Sequence, residues 1–383
     1  VVAANVESAT PTTLDPTDGE RRRAWTLIAV TVASRGFCLL CIALASIHEH
    51  KALAAVLTRF DASYYRQIAL HGYPATLPVV HGHVVSNPVG FFPVFPALVA
   101  ALMQLGLPFV PAALLLNTVG AAVTVLLIDR VLRITVDRDD SARLTAMLWV
   151  VQPTAFVLTL AYSEAVFSAL AAGCLLALLR HRWLLAGILG LLASATRPSG
   201  LILAVCCLVV AVREVMKDRN LTPLVAPLLA PFGVVAYFSY LWAHTGRTDA
   251  WFVTERQGWH VYFDGGIDNL HRVSKYVHQG RVDGLAVVLF VIVALALLVV
   301  LFVDRAHPLL LVYTTGLFLV AVVTRNDLSS VPRFLLPAFP LLLPIATRLR
   351  RVPTAVLVPL VSLLVVVMGG AGAFIATRAH YPP

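Results

Sequence analysis

The chain has 383 residues and a net charge of +9, with 59% hydrophobic and only 13% charged residues, and a mean hydropathy of +0.84. That composition excludes an ordinary soluble domain and indicates a polytopic all-α membrane protein. The apolar runs are continuous over about 17–25 residues, as a bilayer of roughly 30 Å requires, and lack the period-two alternation of a transmembrane barrel.

The first 20 residues are rich in Thr, Pro, Asp and Glu, which predicts a disordered cytoplasmic tail over 1–24. "RRR" at 21–23 precedes an apolar run from Trp25 to His48. It is too long for a signal peptide and lacks a small-residue cleavage site, so it is expected to remain as a signal anchor. No soluble module with a basic, aromatic-studded face follows, so the positive charge does not imply a nucleic-acid partner. Cys38, Cys41, Cys174, Cys206 and Cys207 fall in apolar runs and read as buried hydrophobes rather than a disulfide or zinc framework.

Arginine clusters set the predicted topology. The segments 21–23, 129–143, 180–182, 213–219, 304–305 and 348–351 hold 16 of the 29 Lys and Arg, and all become cytoplasmic in one threading. Its eleven spans run over 25–48, 108–129, 144–161, 164–180, 183–197, 199–213, 222–245, 284–303, 307–324, 333–348 and 353–376. The stretch 91–108, with Pro93 and Pro96, must then be a re-entrant or interfacial helix. A single membrane domain over 25–376 results, with large external loops at 49–107 and 246–283 and an external tail at 377–383.

Polar residues collect on the external side. "DASYYRQIALHGY" reads as a short surface helix capped by Asp61 and stopped by Gly72 and Pro74. Asp61 is either a capping residue alone or a functional carboxylate. Glu164 lies between two spans with almost no loop and suits either the helix dipole or a site. Arg197 and Arg333 sit just inside the outer interface; they either snorkel to headgroups or bind a buried anion. Arg35, inside the first span, needs a partner that the sequence does not name.

Other motifs carry less. His81 and His83 lack a nearby third metal ligand, and "DRDD" at 137–140 has no soluble domain around it. A divalent metal is not indicated and no cofactor is obligatory. The 246–283 loop offers Trp251, Trp259, Tyr262 and Asp264, suited to sugar or headgroup contact, or simply to the interface.

Four stretches, "RFDASYYRQIALHGYP" (59–74), "NPVGFFPVFPAL" (87–98), "QPTAFVLTLAYSEAVFSAL" (152–170) and "SATRPSGLI" (194–202), together resemble the glycosyltransferase C superfamily. Within it they are most similar to the GPI mannosyltransferase II (phosphatidylinositol-glycan class V) family and its bacterial relatives. Order and spacing match over about 55–205, with a fainter echo at "VPRFLLPAFPLL". Phe60 stands where the family has Trp, Pro198 where it has Ser, and Ala165 follows Glu164; these departures bear on the acceptor more than on the reaction.

The resemblance implies inverting transfer of mannose from a polyprenyl-phosphate mannose donor to a lipid-linked or polymeric glycan acceptor. Transfer would occur on the non-cytoplasmic face of a membrane, the bacterial plasma membrane being preferred to the endoplasmic reticulum. It casts Asp61 as the catalytic base and Arg197 and Arg333 as donor-phosphate ligands. Glu164, Tyr64, Tyr65, Arg66, Tyr162 and Asn87 would be at the acceptor or sugar. An arabinosyl or glucosyl donor on the same scaffold is the second reading, which the sequence pattern alone does not exclude. A lipid or sugar transporter fits less well, because the polar residues gather at one face rather than the midplane and no inverted repeat is evident.

Overall fold

The protein is described here by a computed structural model covering residues 16–136, 138–279, 282–325 and 328–379. It is all-helical apart from two short antiparallel ladders, Val79–Val80 with His83–Val84 and Tyr262–Phe263 with Thr324–Arg325. Among the described residues, six helices are long and apolar enough to cross a membrane: Asp18–His48, Phe109–Thr135, Pro198–Asp218, Thr222–Thr245, Gly284–Val303 and Thr354–Thr377. Two bent pairs raise the number to as many as eight, Pro153–Thr159 with Glu164–Leu179 at 106° and Leu328–Phe334 with Phe339–Leu349 at 85°. All eleven expected segments carry helix, but the count of eleven spans is not reached among the described residues: 144–161 breaks between Asp139–Val151 and Pro153–Thr159, and Trp183–Ser194 and Pro308–Val323 are shorter than the long spans.

The helix Val94–Gln104 has 11 residues. At 1.5 Å per residue it extends about 16 Å, half of a bilayer's roughly 30 Å core. It packs beside the helix Asp61–His71, which buries Ala62, Tyr65 and Ile68 and exposes Ser63, Arg66 and Gln67. That is the one-sided surface helix expected from the residue spacing.

The first helix begins earlier than its apolar run. Pro16–His48 is continuous, so 16–24 is helical rather than disordered, and Pro suits the first helical position. Residues 1–15, Asp137 of "DRDD" and residues 380–383 lie outside the described residues.

Four of the six basic clusters, 21–23, 129–143, 304–305 and 348–351, meet at one end of the bundle. Arg23 pairs with Asp129, and Arg133 with Glu20 at 2.9 Å; Thr135, Arg138, Arg305, Arg348 and Arg351 line one cavity. At the opposite end, Arg59 donates to the carbonyls of Ala376 (2.7 Å) and Ala379 (2.6 Å), and Arg378 pairs with Glu49.

Arg35 finds its partners in backbone. It donates to the carbonyls of Ala155 and Val150, the latter at 2.8 Å, and to Thr159 Oγ1 at 3.1 Å. The carbonyls freed where the helix Asp139–Val151 breaks at Pro153 are thereby satisfied in the interior. Cys38, Cys174, Cys206 and Cys207 are buried and, with half-buried Cys41, all are free thiols.

Candidate functional site

Asp61 opens the helix Asp61–His71 as its first residue and not as its cap. Phe60 holds the cap position, and no side chain caps this helix. The capping expectation is therefore overturned: Ala62 and Ser63 N–H donate to the Arg59 and Phe60 carbonyls instead. Phe60 adopts φ +54° and ψ −131°, a left-handed backbone that costs a bulky residue on the order of 1–3 kcal/mol. Arg59 holds that conformation, with its guanidinium 4.6 Å over the Phe60 ring and two bonds to the C-terminal helix.

The carboxylate freed from capping accepts from Arg333 Nη1 at 2.5 Å. Arg333 is 7% exposed, at the bend between Leu328–Phe334 and Phe339–Leu349. Its Nε lies 3.4 Å from Glu164 Oε1. The same oxygen accepts from Arg197 Nη1 at 2.5 Å. Asp61, Arg333, Glu164 and Arg197 thus form one continuous chain of alternating charge. Its two ends in sequence, Asp61 and Arg333, are 272 residues apart.

Local geometry explains how each member is held. Glu164 begins the helix Glu164–Leu179 directly after the 106° bend and is 1% exposed. Arg197 sits in the hairpin between Trp183–Ser194 and Leu201–Asp218. That hairpin closes because residue 200 is glycine: a Cβ there would meet the Ser194 backbone at 2.5 Å. Arg333 lies 5.1 Å over Tyr162 and 5.0 Å over Phe334, and Arg197 lies 5.5 Å from Phe334. Tyr65 donates to Ser163 Oγ at 2.9 Å, and Arg197 donates to the same hydroxyl at 3.3 Å.

Two positive and two negative charges cancel within the chain. A buried network of this kind adds little stability over apolar packing, yet removing one member strands a charge. Glu164 is fully enclosed, whereas the Asp61 side chain is 16% exposed. Arg197, the other end of the chain, is 15% exposed, so an incoming anion or hydroxyl can reach either end but not the interior members.

An aromatic wall stands beside Asp61. Tyr64 stacks on Phe91 (5.1 Å, 11°) and meets Trp259 edge-on at 5.0 Å; Tyr65 sets its edge against Phe91 and Phe95. Burial, with a smaller contribution from Asp61's charge, pushes the Tyr64 phenol up. The same two causes, in the same order, push the Glu255 carboxyl up to about 8. Glu255 belongs to the π-helical turn Thr254–Gly258, and no sequence motif signalled it. It reaches the site because the 246–283 loop is laced to the first loop. Val84 N–H donates to Gln257 Oε1 (2.8 Å), Ser86 Oγ to the Gly258 carbonyl (2.6 Å), and Asn87 Nδ2 to Thr254 Oγ1 (3.2 Å).

Asp61, Glu164, Arg197, Arg333, Tyr64, Tyr65 and Tyr162 are therefore brought together. Asn87 and Arg66 are not. Asn87 is 2% exposed, and its amide bonds Val89 N–H, the Val85 carbonyl and Thr254; it shapes the loop in place of the expected acceptor contact. Arg66 is exposed on the outer side of its helix. Glu164, expected at the acceptor, is enclosed between two arginines and orients them. His81 and His83 lie exposed on the hairpin at 79–84, and no cluster of three potential metal ligands occurs among the described residues.

No known family profile and no curated protein matches the sequence. Among solved structures, the chain is similar to ArnT from Cupriavidus metallidurans, in a structure bound to undecaprenyl phosphate, with 15% identity and a TM-score of 0.49 over 83% of this chain and 61% of that one. It is similar also to the oligosaccharyltransferase AglB of Archaeoglobus fulgidus, in complex with an inhibitory peptide and a dolichol-phosphate, with 12% identity and a TM-score of 0.49 over 92% of this chain and 55% of that one. A second structure of the Archaeoglobus oligosaccharyltransferase, tethered to an acceptor peptide, gives 12% identity and 0.49 over 94% and 56%. The chain spans 55–61% of the length of these proteins.

Proposed function

We propose that the protein is an inverting mannosyltransferase. It would take mannose from a polyprenyl-phosphate mannose and transfer it to a lipid-linked or polymeric glycan acceptor on the non-cytoplasmic face of a bacterial plasma membrane. The observation that carries this reading is the chain Asp61–Arg333–Glu164–Arg197, at the bundle end opposite the basic clusters. Positive-inside bias makes that end external. A polyprenyl donor is confined to the bilayer plane and presents its sugar at the interface, which suits a carboxylate on a surface helix.

The chemistry follows from the charges. The acceptor hydroxyl attacks the anomeric carbon from the side away from the phosphate. As its oxygen–carbon bond forms, its proton passes to Asp61. The anomeric carbon–oxygen bond breaks, and the polyprenyl phosphate departs with the bonding electrons. That leaving group is already anionic and requires cations rather than an acid. Arg333 and Arg197 offer them in a partly dehydrated setting, where one such donor contributes about 10²–10³ in rate.

Purified protein in nanodiscs, given polyprenyl-phosphate mannose, arabinose and glucose in parallel with lipid extract as acceptor, tests the reading. Transfer from the mannose donor, reduced on the order of 10²-fold in Arg333→Ala, is expected. Transfer only from another sugar would correct the donor. Full activity of Arg333→Ala and Arg197→Ala together would leave the arginines as headgroup anchors.

A further inference from the structure

Gly90 lies in the first loop, next to the aromatic wall. A Cβ placed on it would lie 2.8 Å from Glu255 Oε1 and 2.9 Å from Trp259 Nε1. Only glycine leaves that space free, and two polar groups from the other large loop converge on it. Neither is satisfied. Trp259 Nε1 is buried with no acceptor, and Glu255 has no side-chain hydrogen bond or ion pair among the described residues. Leaving a bond unmade on a buried indole N–H is costly, so a site that leaves one open next to a free carboxyl is poised for a ligand. Both residues are half-buried, but Trp259 Nε1 itself is enclosed, so a ligand would enter past the Glu255 carboxyl.

The two groups are chemically complementary to one thing in particular. An indole N–H only donates, and the Glu255 carboxyl accepts in either protonation state, through its carbonyl oxygen when it holds a proton. A hydroxyl accepts with its oxygen and donates with its hydrogen, so one hydroxyl satisfies both at once. The rings around them add a second requirement. Trp259 packs edge-on against Tyr64 and against Phe91 at 5.0 and 5.5 Å, giving an apolar, rigid surface with few polar groups, the lining expected of a small-ligand site. A sugar ring has both an apolar C–H face and a rim of hydroxyls.

We infer that Gly90, Glu255 and Trp259, walled by Tyr64 and Phe91, form a sugar-hydroxyl subsite that holds the acceptor glycan with one hydroxyl between Glu255 and Trp259 Nε1. Its role as acceptor subsite rests on the transferase reading above; its ability to hold a sugar does not. Asp61's charge raises the Glu255 carboxyl, so the two carboxyls belong to one electrostatic site, and the bound sugar lies within the field of the proposed base. Glu255 is a binding residue in this arrangement, and the proton transfer remains with Asp61.

The test is direct binding of methyl α-D-mannopyranoside to the full chain in nanodiscs by saturation-transfer NMR, beside binding of a short-chain polyprenyl phosphate. Trp259→Phe keeps a six-membered aromatic ring and removes the five-membered ring with its N–H. Gly90→Ala inserts one methyl 2.8 Å from Glu255 Oε1 and 2.9 Å from Trp259 Nε1, and a thermal midpoint beside the wild type's checks that the fold persists. Each variant is expected to weaken the glycoside at least about tenfold, the cost of a hydrogen bond lost or blocked, and to leave polyprenyl phosphate binding within about twofold. Glycoside binding undiminished in both variants, or none by the wild type at ~100 mM while polyprenyl phosphate binds, overturns the subsite. Glycoside binding that is lost in both variants, with no polyprenyl phosphate bound by the wild type, upholds the subsite and overturns the lipid-donor reading instead.

Discussion

Asp61→Asn separates structure from chemistry in a single substitution. Asp61 caps nothing, so the start of its helix is untouched. An Asn oxygen still accepts from Arg333, which today bonds Asp61 at 2.5 Å, and Arg333 keeps Glu164 at 3.4 Å. The stability lost is the difference between a charged and a neutral acceptor, about 1–2 kcal/mol. Stripping a fully buried pair would cost more, about 3–5 kcal/mol. Transfer should fall by about 10²–10⁴, the range for a lost general base. Binding of polyprenyl phosphate should strengthen, because the phosphate no longer competes with a carboxylate for Arg333; a pair weakened by about 1.4 kcal/mol gives about tenfold. Thermal unfolding, transfer from polyprenyl-phosphate mannose and phosphate binding on the same nanodisc preparation read the three effects. Normal transfer by the folded variant removes Asp61 as base, and weaker phosphate binding refutes the competition for Arg333.

Glu164→Ala leaves Arg197 and Arg333 without their shared buried carboxylate and should lower stability by about 3–5 kcal/mol; a thermal midpoint close to wild type would show that the arginines repartner. The Glu255 carboxyl is raised from an ordinary 4.5 to about 8, so between those values the folded chain holds a proton the unfolded chain has released, and stability falls as pH rises through that window and levels off above it. Thermal midpoints of Glu255→Gln should lack this part of the decline, and identical pH profiles for the two proteins refute it. Cysteines at exposed His81 and Gln279 should react with an impermeant reagent in intact cells, and one at exposed Asp140 only after permeabilisation; Ser141, 0% exposed, would stay silent on either side.

What the sequence makes legible is what a membrane protein cannot hide. Charged side chains near a bilayer are few and expensive, so Asp61, Glu164, Arg197 and Arg333 stand out, and the Arg clusters place them on one side. Three features stay hidden for physical reasons. Whether Asp61 caps its helix or opens it turns on the backbone angle of Phe60, which residue type does not specify. The partners of Arg35 are backbone carbonyls at a helix break, and every residue has a carbonyl. Glu255 acquires its surroundings only when the second loop folds over 84–90, a contact across some 170 residues. Apolar length also misleads in both directions: Pro16–His48 begins well before its apolar run, and Trp183–Ser194 stops after 12 residues.

The charge balance of the chain decides which of its members can respond to a substrate. With two arginines and two carboxylates the site is neutral, so a phosphate arriving at Arg333 must displace a carboxylate or create an excess of negative charge. Glu164 cannot leave. It is 1% exposed, begins a long packed helix, and bonds a second arginine at 2.5 Å. Asp61 is partly exposed, sits on an 11-residue surface helix, and follows a residue held in a strained conformation. It is the member that yields. On the proposed reaction, the carboxylate released from Arg333 would lose the cation that made it a poor proton acceptor at the moment the donor's phosphate took that cation over. Base strength and leaving-group stabilisation would then be coupled through one guanidinium, and an acceptor hydroxyl arriving before the donor would meet a carboxylate still paired to Arg333.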